Sequence, residues 1–231
     1  MKVERIAPLK VDLHIHTSED PVDCVGYTAK ELISRAAAEG FDVISITNHC
    51  QITFNQELLS FAEERGILLI SGTEMPIHGR HVLVLNPPAC GVGSDFSSLA
   101  KLKGPETLVI APHPYFPGTT SLNGYLLQHL NLFDALEYSH FYSSLINFNQ
   151  RAVKVSQSFG LPLIGTSDAH FFSQLGVTHS LIYAEKNLEA IFAAIRENKI
   201  KIISRPLKHL EMGLIAGNLF RMKFRSLMRG H

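Results

Sequence analysis

Six short segments of the chain end in side chains that bind divalent metals. They are Asp12-Leu13-His14-Ile15-His16, Thr47-Asn48-His49, Gly72-Thr73-Glu74, Pro112-His113-Pro114, Ser139-His140 and Ser167-Asp168-Ala169-His170. Together they supply six imidazoles and two carboxylates: His14, His16, His49, His113, His140, His170, Glu74 and Asp168. One zinc ion takes about three or four protein ligands. The surplus therefore predicts two or three ions sharing ligands, and zinc, manganese and iron all suit a mixture of imidazole and carboxylate. Neighbouring ions of this kind suit phosphoryl hydrolysis, because they activate a nucleophile and clamp the phosphoryl oxygens together.

The spacing agrees with the chemistry. In a strand, residues i and i+2 share a face, so His14 and His16 reach the same ion or pair of ions. Asp168-Ala169-His170 repeats the arrangement late in the chain. Glu74, with two oxygens, is suited to bridge two ions, and Pro112 and Pro114 restrict the backbone around His113. Taken singly, each histidine reads equally well as a satisfied core residue, and Asp-Ala-His reads as a turn. Nearly all of them follow a short apolar run, which puts them at one rim. His78 and His81 flank Arg80, the one cation between Arg65 and Lys101, so these three are candidates for substrate binding. The alternative for Arg80 is a solvated turn. Cys50 reads as a small hydrophobe beside His49. His129, His179, His209 and His231 receive no role.

Elements to position this set are visible in the apolar pattern. Strands are expected at 11–16, 42–47, 67–71, 81–85, 108–111, 135–138, 161–166, 180–184 and 200–204. Helices are expected at 28–40, 56–65, 146–159 and 187–198. Thr28 with Glu31 three residues on reads as a capping box, and Gly40 as a stop. The section 87–106 reads as loop with one helical turn. Strand–helix alternation with short links argues a parallel sheet, and ligands at several strand ends favour its closure into a barrel.

The chain has 231 residues, 45% of them hydrophobic and 18% charged, enough for one large α/β core. Residues 1–204 are expected to form a single barrel domain and 205–231 a basic helical extension. Net charge is zero, yet residues 1–198 sum to −7 and residues 199–231 to +7. Leu210, Leu214, Ile215, Leu219 and Phe220 follow Pro206 at helical spacing, with Arg221, Lys223, Arg225 and Arg229 after them. This extension reads as a helix packed on the barrel with a solvated basic end, or as a flap that draws in an anionic substrate or nucleic acid. No stretch approaches a membrane span of about 18 or more apolar residues. Three scattered cysteines and an N-terminal Met1–Arg5 without an apolar run fit a cytoplasmic protein.

In this order the motifs resemble those of the polymerase-and-histidinol-phosphatase (PHP) family of metal-dependent phosphoesterases. The resemblance runs from Asp12 to His170 and implies a distorted (β/α)7 barrel with up to three divalent ions. It implies that His14, His16, Glu74 and Asp168 serve one ion, with Glu74 shared. It places His113 and His140 on a second, and His49 and His170 on or near a third. A further family ligand follows the first His-x-His; Asp20 and Asp23 both stand near that position, Asp20 being preferred. The family's Thr-Asp-His is Thr47-Asn48-His49 here, which implies the loss of a carboxylate behind the ligands.

The expected activity is hydrolysis of a phosphomonoester, nucleotide or short oligonucleotide by a hydroxide bridging two ions, with His14, His16, Glu74, Asp168 and His170 as the catalytic set. The alternatives on the same ligands are a metal-dependent amide or ester hydrolase and a metal-binding accessory protein without catalysis.

Overall fold

The computed structural model describes residues 7–88 and 93–228. The sequence readings at Met1–Arg5, Cys90, Gly91, Arg229 and His231 lie outside these residues. In chain order the elements are β1 (Leu9–Ile15), α1 (Ala29–Ala38), β2 (Val43–Ile46), α2 (Gln56–Glu63), β3 (Leu68–Ile77), β4 (Arg80–Leu85), α3 (Phe96–Leu102) and β5 (Leu108–Ala111). There follow α4 (Gly124–Gln128), β6 (Ala135–Ser139), α5 (Asn149–Phe159), β7 (Leu163–Thr166), β8 (Thr178–Ile182), α6 (Leu188–Arg196), β9 (Ile200–Ser204) and α7 (His209–Met228). The capping box is formed: Thr28 accepts from the Glu31 amide and Glu31 reaches back to the Thr28 amide.

The strands form one nine-stranded sheet in the order β7-β6-β5-β4-β3-β2-β1-β8-β9, curved into a nearly closed barrel. Seven strands run one way. β4 is antiparallel to both β3 and β5, and β8 to both β1 and β9. The barrel is therefore mixed rather than wholly parallel. The cause at β4 is local: only His78 and Gly79 separate it from β3, both at positive φ, and a two-residue link of that kind makes a hairpin. β3 is consequently ten residues long and carries Glu74 inside the strand rather than just past its end.

A cluster with members from eight strands fills the inside of the sheet, among them Val43, Leu85, Ile110 and Ile164, and α6 plugs it with Ile191, Phe192 and Ile195. Each such side chain, fully buried, contributes roughly 1.5–3 kcal/mol. On the outside, α1 and α2 cover β1–β3, and α3, α4 and α5 cover β4–β6. α5 starts at Asn149, three residues later than its pattern suggests. The buried Asn149 side chain instead clasps Ser139, accepting from its amide at 2.9 Å and donating to its carbonyl at 2.9 Å.

The two ends of the sheet meet across a seam. The Ser180 hydroxyl donates to the Gly165 carbonyl at 3.0 Å and accepts from the Gly165 amide at 2.9 Å, standing in for a strand ladder. A Cβ on Gly165 would lie 2.7 Å from Ile202, so only glycine lets β7 come this close. Above the seam, Asp12 accepts from the Ser167 amide at 3.1 Å and His16 donates its amide to the Ala169 carbonyl at 3.0 Å. These bonds carry Asp168 and His170 over to β1, where His14 and His16 wait.

Candidate metal centre

Four side chains converge on one point. His14 Nε2 and His16 Nε2 are 3.2 Å apart. Glu74 Oε2 lies 3.5 and 3.4 Å from them, and Asp168 Oδ1 lies 3.3 and 3.4 Å away. Ligand atoms arranged tetrahedrally around an ion at about 2.0–2.1 Å stand about 3.3–3.4 Å apart. His14, His16 and Asp168 therefore stand at the spacing of ligands on one divalent ion, and Glu74 lies on the same pair of imidazoles.

Glu74 extends the site on both of its oxygens. His49 Nε2 is 3.1 Å from Oε2. On the other side, His81 Nδ1 is 2.8 Å and His113 Nε2 3.3 Å from Oε1. One buried carboxylate therefore faces two groups of imidazoles, three on Oε2 and two on Oε1. Glycine at position 72 permits this approach, since a Cβ there would fall 2.4 Å from the Ser45 hydroxyl. His113 and Asp168 hold left-handed backbone, at φ 29° and 45°, the kind of strain that surrounding structure must enforce.

Behind the donors stand residues that orient them. Glu137, wholly buried on β6, contacts His14 Nδ1 at 3.2 Å and accepts from the His113 amide at 2.8 Å. Asp20 Oδ2 contacts His16 Nδ1 at 2.8 Å, His49 Nδ1 at 2.9 Å and the His49 amide at 2.9 Å. Asp20 thus sits behind two histidines rather than beside Glu74. Asp23 is 3.1 Å from His170 Nε2. Asn48 is fully engaged elsewhere: its amide nitrogen donates to Thr17 and Thr53, and its oxygen accepts from the Thr17 amide.

The electrostatics carry the same signature. Burial disfavours imidazolium at His14, but Asp168, Glu74 and Glu137 outweigh it and hold the ring well above the usual histidine range. Burial is likewise overcome at His16, by Asp168, Asp20 and Glu74. Burial would raise the Glu74 carboxyl, yet His81, His14 and His49 hold it well below its usual range. Asp168 is depressed in the same way against burial, first by His14 and then by His16. So many buried carboxylates draw positive charge to the centre, and a divalent ion supplies it without protons. His140 differs. Burial lowers it to about 4, and its Nε2 is 3.0 Å from the Gln174 amide nitrogen, whose own oxygen accepts from the His170 and Phe171 amides. Its Nδ1 is buried without a partner.

Of the residues singled out in the sequence, His14, His16, His49, Glu74, His113 and Asp168 are brought together directly. His170 stacks on His16 with ring centres 4.3 Å apart. His140 lines the cavity of about 400 Å³ above the centre but does not reach Glu74, and His81 occupies that place. His81 and Glu74 are diagonal neighbours on one face of the β3–β4 hairpin, given the pairing of Glu74 with Leu83. Arg80 and His78 do not face the cavity. Arg80 donates to the carbonyls of Thr119 and Ser121, and His78 stacks on Phe96 with centres 5.3 Å apart. Glu137 escaped the sequence reading; its signal was an acid in the middle of Ala135-Leu136-Glu137-Tyr138.

The barrel that carries this cluster is shared with proteins of known structure. A PHP-associated family model matches residues 147–200. An uncharacterized protein of Methanocaldococcus jannaschii is 31% identical over 120 residues, which span 47% of this chain and 70% of that one. Among solved structures, a two-domain protein of Bacteroides vulgatus containing a predicted PHP-like metal-dependent phosphoesterase superposes with a TM-score of 0.67 at 18% identity, over 95% of this chain and 71% of that one. The lesion-specific endonuclease EndoQ of Pyrococcus furiosus superposes with a TM-score of 0.58 at 16% identity, over 84% of this chain and 57% of that one. The chain thus carries a PHP-associated segment and shares the fold of PHP-like proteins. Among the described residues, no helix is long and apolar enough to cross a membrane.

Proposed function

We propose that this protein is a metal-dependent hydrolase of phosphate esters acting on a phosphomonoester, nucleotide or short oligonucleotide. The observation that carries the reading is Glu74, a buried carboxylate with imidazoles facing each of its oxygens. His14, His16 and Asp168 would hold one ion, and Glu74, His81 and His113 a second. His49, with His16 and Glu74, would contribute to a third. Zinc, manganese or iron bound there supplies an activated water and neutralises charge on the phosphoryl oxygens.

The chain's own groups do the rest. Glu137 and Asp20 fix the ring orientation of His14, His16 and His49 through their Nδ1 atoms, which leaves each Nε2 turned to the centre. The geometry favours Asp20 in this orienting role over direct ligation. His170 is held at the cavity wall by both ring nitrogens, Nε2 on Asp23 at 3.1 Å and Nδ1 on the Asp168 carbonyl at 3.0 Å, and so would shape the wall beside the ions. The Bacteroides protein, by its description as a phosphoesterase, and EndoQ, as an endonuclease, support ester hydrolysis at phosphorus.

The test is turnover of p-nitrophenyl phosphate, bis-p-nitrophenyl phosphate and p-nitrophenyl acetate with manganese or zinc, before and after chelation. Metal-dependent release from a phosphate ester is expected. Release from acetate alone would shift the reading to carboxyl esters, and none from any would leave a binding protein.

A further inference from the structure

The cavity has two unlike parts. Its floor is the cluster of histidines and acids. Its upper wall is apolar, lined by Phe116 and Phe141 and, from α7, by Leu219, Phe220 and Met222. Phe116 and Phe141 stand 5.8 Å apart at 57°, and Phe148, half-exposed, continues the edge 5.1 Å from Phe116. None of these side chains can hold an ion or donate to a phosphoryl oxygen. A polar leaving group such as a sugar would lose water against this wall without finding partners, which costs free energy. An apolar one would gain by its burial.

α7 makes the wall a fixed part of the protein. Ile215 and Met222 are buried, and Leu219 packs with Phe141 against Val177 and Leu207. Arg205 grips Glu211 with two bonds of 2.8 and 2.9 Å at the start of the helix. Near its other end, the Ser226 hydroxyl donates to the Val22 carbonyl, on the loop that carries Asp20 and Asp23. The helix thus lines one side of a cavity of about 400 Å³, a size suited to a small molecule. Among the described residues lining it, Lys223 is the one Lys or Arg, an ammonium at the rim for an incoming anion.

Building on the phosphoesterase reading, we infer that the substrate is a small phosphomonoester whose leaving alcohol is apolar, seated against the wall that Phe116 and Phe141 form with Leu219 and Phe220 of α7. Water would add its oxygen to phosphorus as the ester P–O bond breaks, and a proton would end on the released alkoxide. The basic helix then serves as a specificity wall for a small molecule rather than as a track for a nucleic acid.

The experiment compares methyl, propyl and hexyl phosphate, glycerol phosphate and a trinucleotide on the full chain with added manganese. From propyl onward the leaving groups are chemically alike, so a trend reports burial. A fully buried methylene is worth about fourfold, or about 0.8 kcal/mol. We expect kcat/KM to rise at least about tenfold from propyl to hexyl, and glycerol phosphate to fall below propyl. In Phe220→Ala and Phe116→Ala the hexyl-to-propyl ratio should drop at least about threefold. Phe220 is 74% exposed, so its replacement leaves the fold in place. A flat alkyl series, or a trinucleotide preferred to hexyl phosphate, with phosphatase activity intact, overturns the inference alone. No metal-dependent hydrolysis of any phosphate ester overturns both it and the reading on which it rests.

Discussion

The floor of the cavity and its α7 wall are built on opposite principles. On the floor, nearly every donor is held from behind: His14 by Glu137, His16 and His49 by Asp20, His170 by Asp23, and His140 by Gln174. Such a network is over-determined, and its positions come from seven different strands or strand ends. The wall is one helix, anchored by a few apolar side chains and a contact near each end, with Leu210, Leu214, Phe220 and Phe224 exposed. Floors of the first kind serve chemistry, which tolerates little displacement. Walls of the second kind serve selection, which depends on surface and can vary without disturbing the centre.

The contrast breaks most clearly at Asp168. Asp168→Ala should lower turnover at least about 10²-fold and lower bound metal per chain, because the substitution removes the carboxylate that faces both His14 and His16. Kinetics with elemental analysis would check it. Full activity and full metal content would mean that the convergence on His14 and His16 has no chemical role.

Within the floor, the two histidines nearest the second position should differ. His81→Ala should reduce metal stoichiometry, because His81 Nδ1 is 2.8 Å from Glu74. His140→Ala should keep the stoichiometry, because its Nε2 is already taken by Gln174. The opposite outcome, measured by elemental analysis of the two variants, would restore the pairing of His113 with His140. Glu137→Gln should weaken metal binding by about 10–100-fold, the usual effect of losing a carboxylate behind a ligand histidine. Titration with a fluorescent zinc competitor would show it.

Acid–base linkage distinguishes the metal-free floor from the loaded one. His14, His16 and His113 are held above the unfolded histidine value of about 6.5. Their stabilisation is complete below that pH and is lost as pH climbs through the folded values. Asp20, Asp23, Glu74 and Asp168 are depressed below about 4, so theirs is present above that pH and lost as pH falls through the folded values. Metal-free protein should therefore lose stability above about pH 6.5, with Tm falling toward pH 8.5. Once metal is loaded the imidazoles are neutral ligands and that alkaline decline should disappear. Parallel melting curves at pH 5.5, 7 and 8.5 decide the matter, and identical slopes with and without metal would refute it.

The floor was largely legible in the sequence and the wall was not. Ligands at strand ends announce themselves by residue type after an apolar run, as in Leu13-His14-Ile15-His16. The residues behind them do not. Glu137 alternates with apolar neighbours just as a solvent-facing acid would, and only the curvature of the sheet turns it inward. His81 was visible as a histidine, but its approach to Glu74 depends on the register of β3 against β4. The turn His78-Gly79 held that information: a two-residue link implies antiparallel pairing, whereas the alternation of strands and helices elsewhere argues parallel pairing. The helical spacing of α7 could be read directly. That Leu219, Phe220 and Lys223 face the metal cavity follows from where β9 ends, a tertiary fact with no local signature.

The last test concerns the wall itself. Gly213 and Gly217 lie within α7, and a Cβ at either would meet nothing within 4 Å. Glycine inside a helix costs about 0.8–1 kcal/mol relative to alanine, through the freedom it loses on folding. Gly213→Ala and Gly217→Ala should each stabilise the helix by up to about 1 kcal/mol, or raise Tm by roughly 2–4 °C for a chain of this size. Metal content should not change, because none of the donors on the floor touches either position. If α7 melts together with the barrel, as its contacts with Val177, Leu207 and the Val22 loop imply, the whole gain appears in the single transition. An unchanged Tm with higher helical content would mean that the wall folds and unfolds apart from the floor.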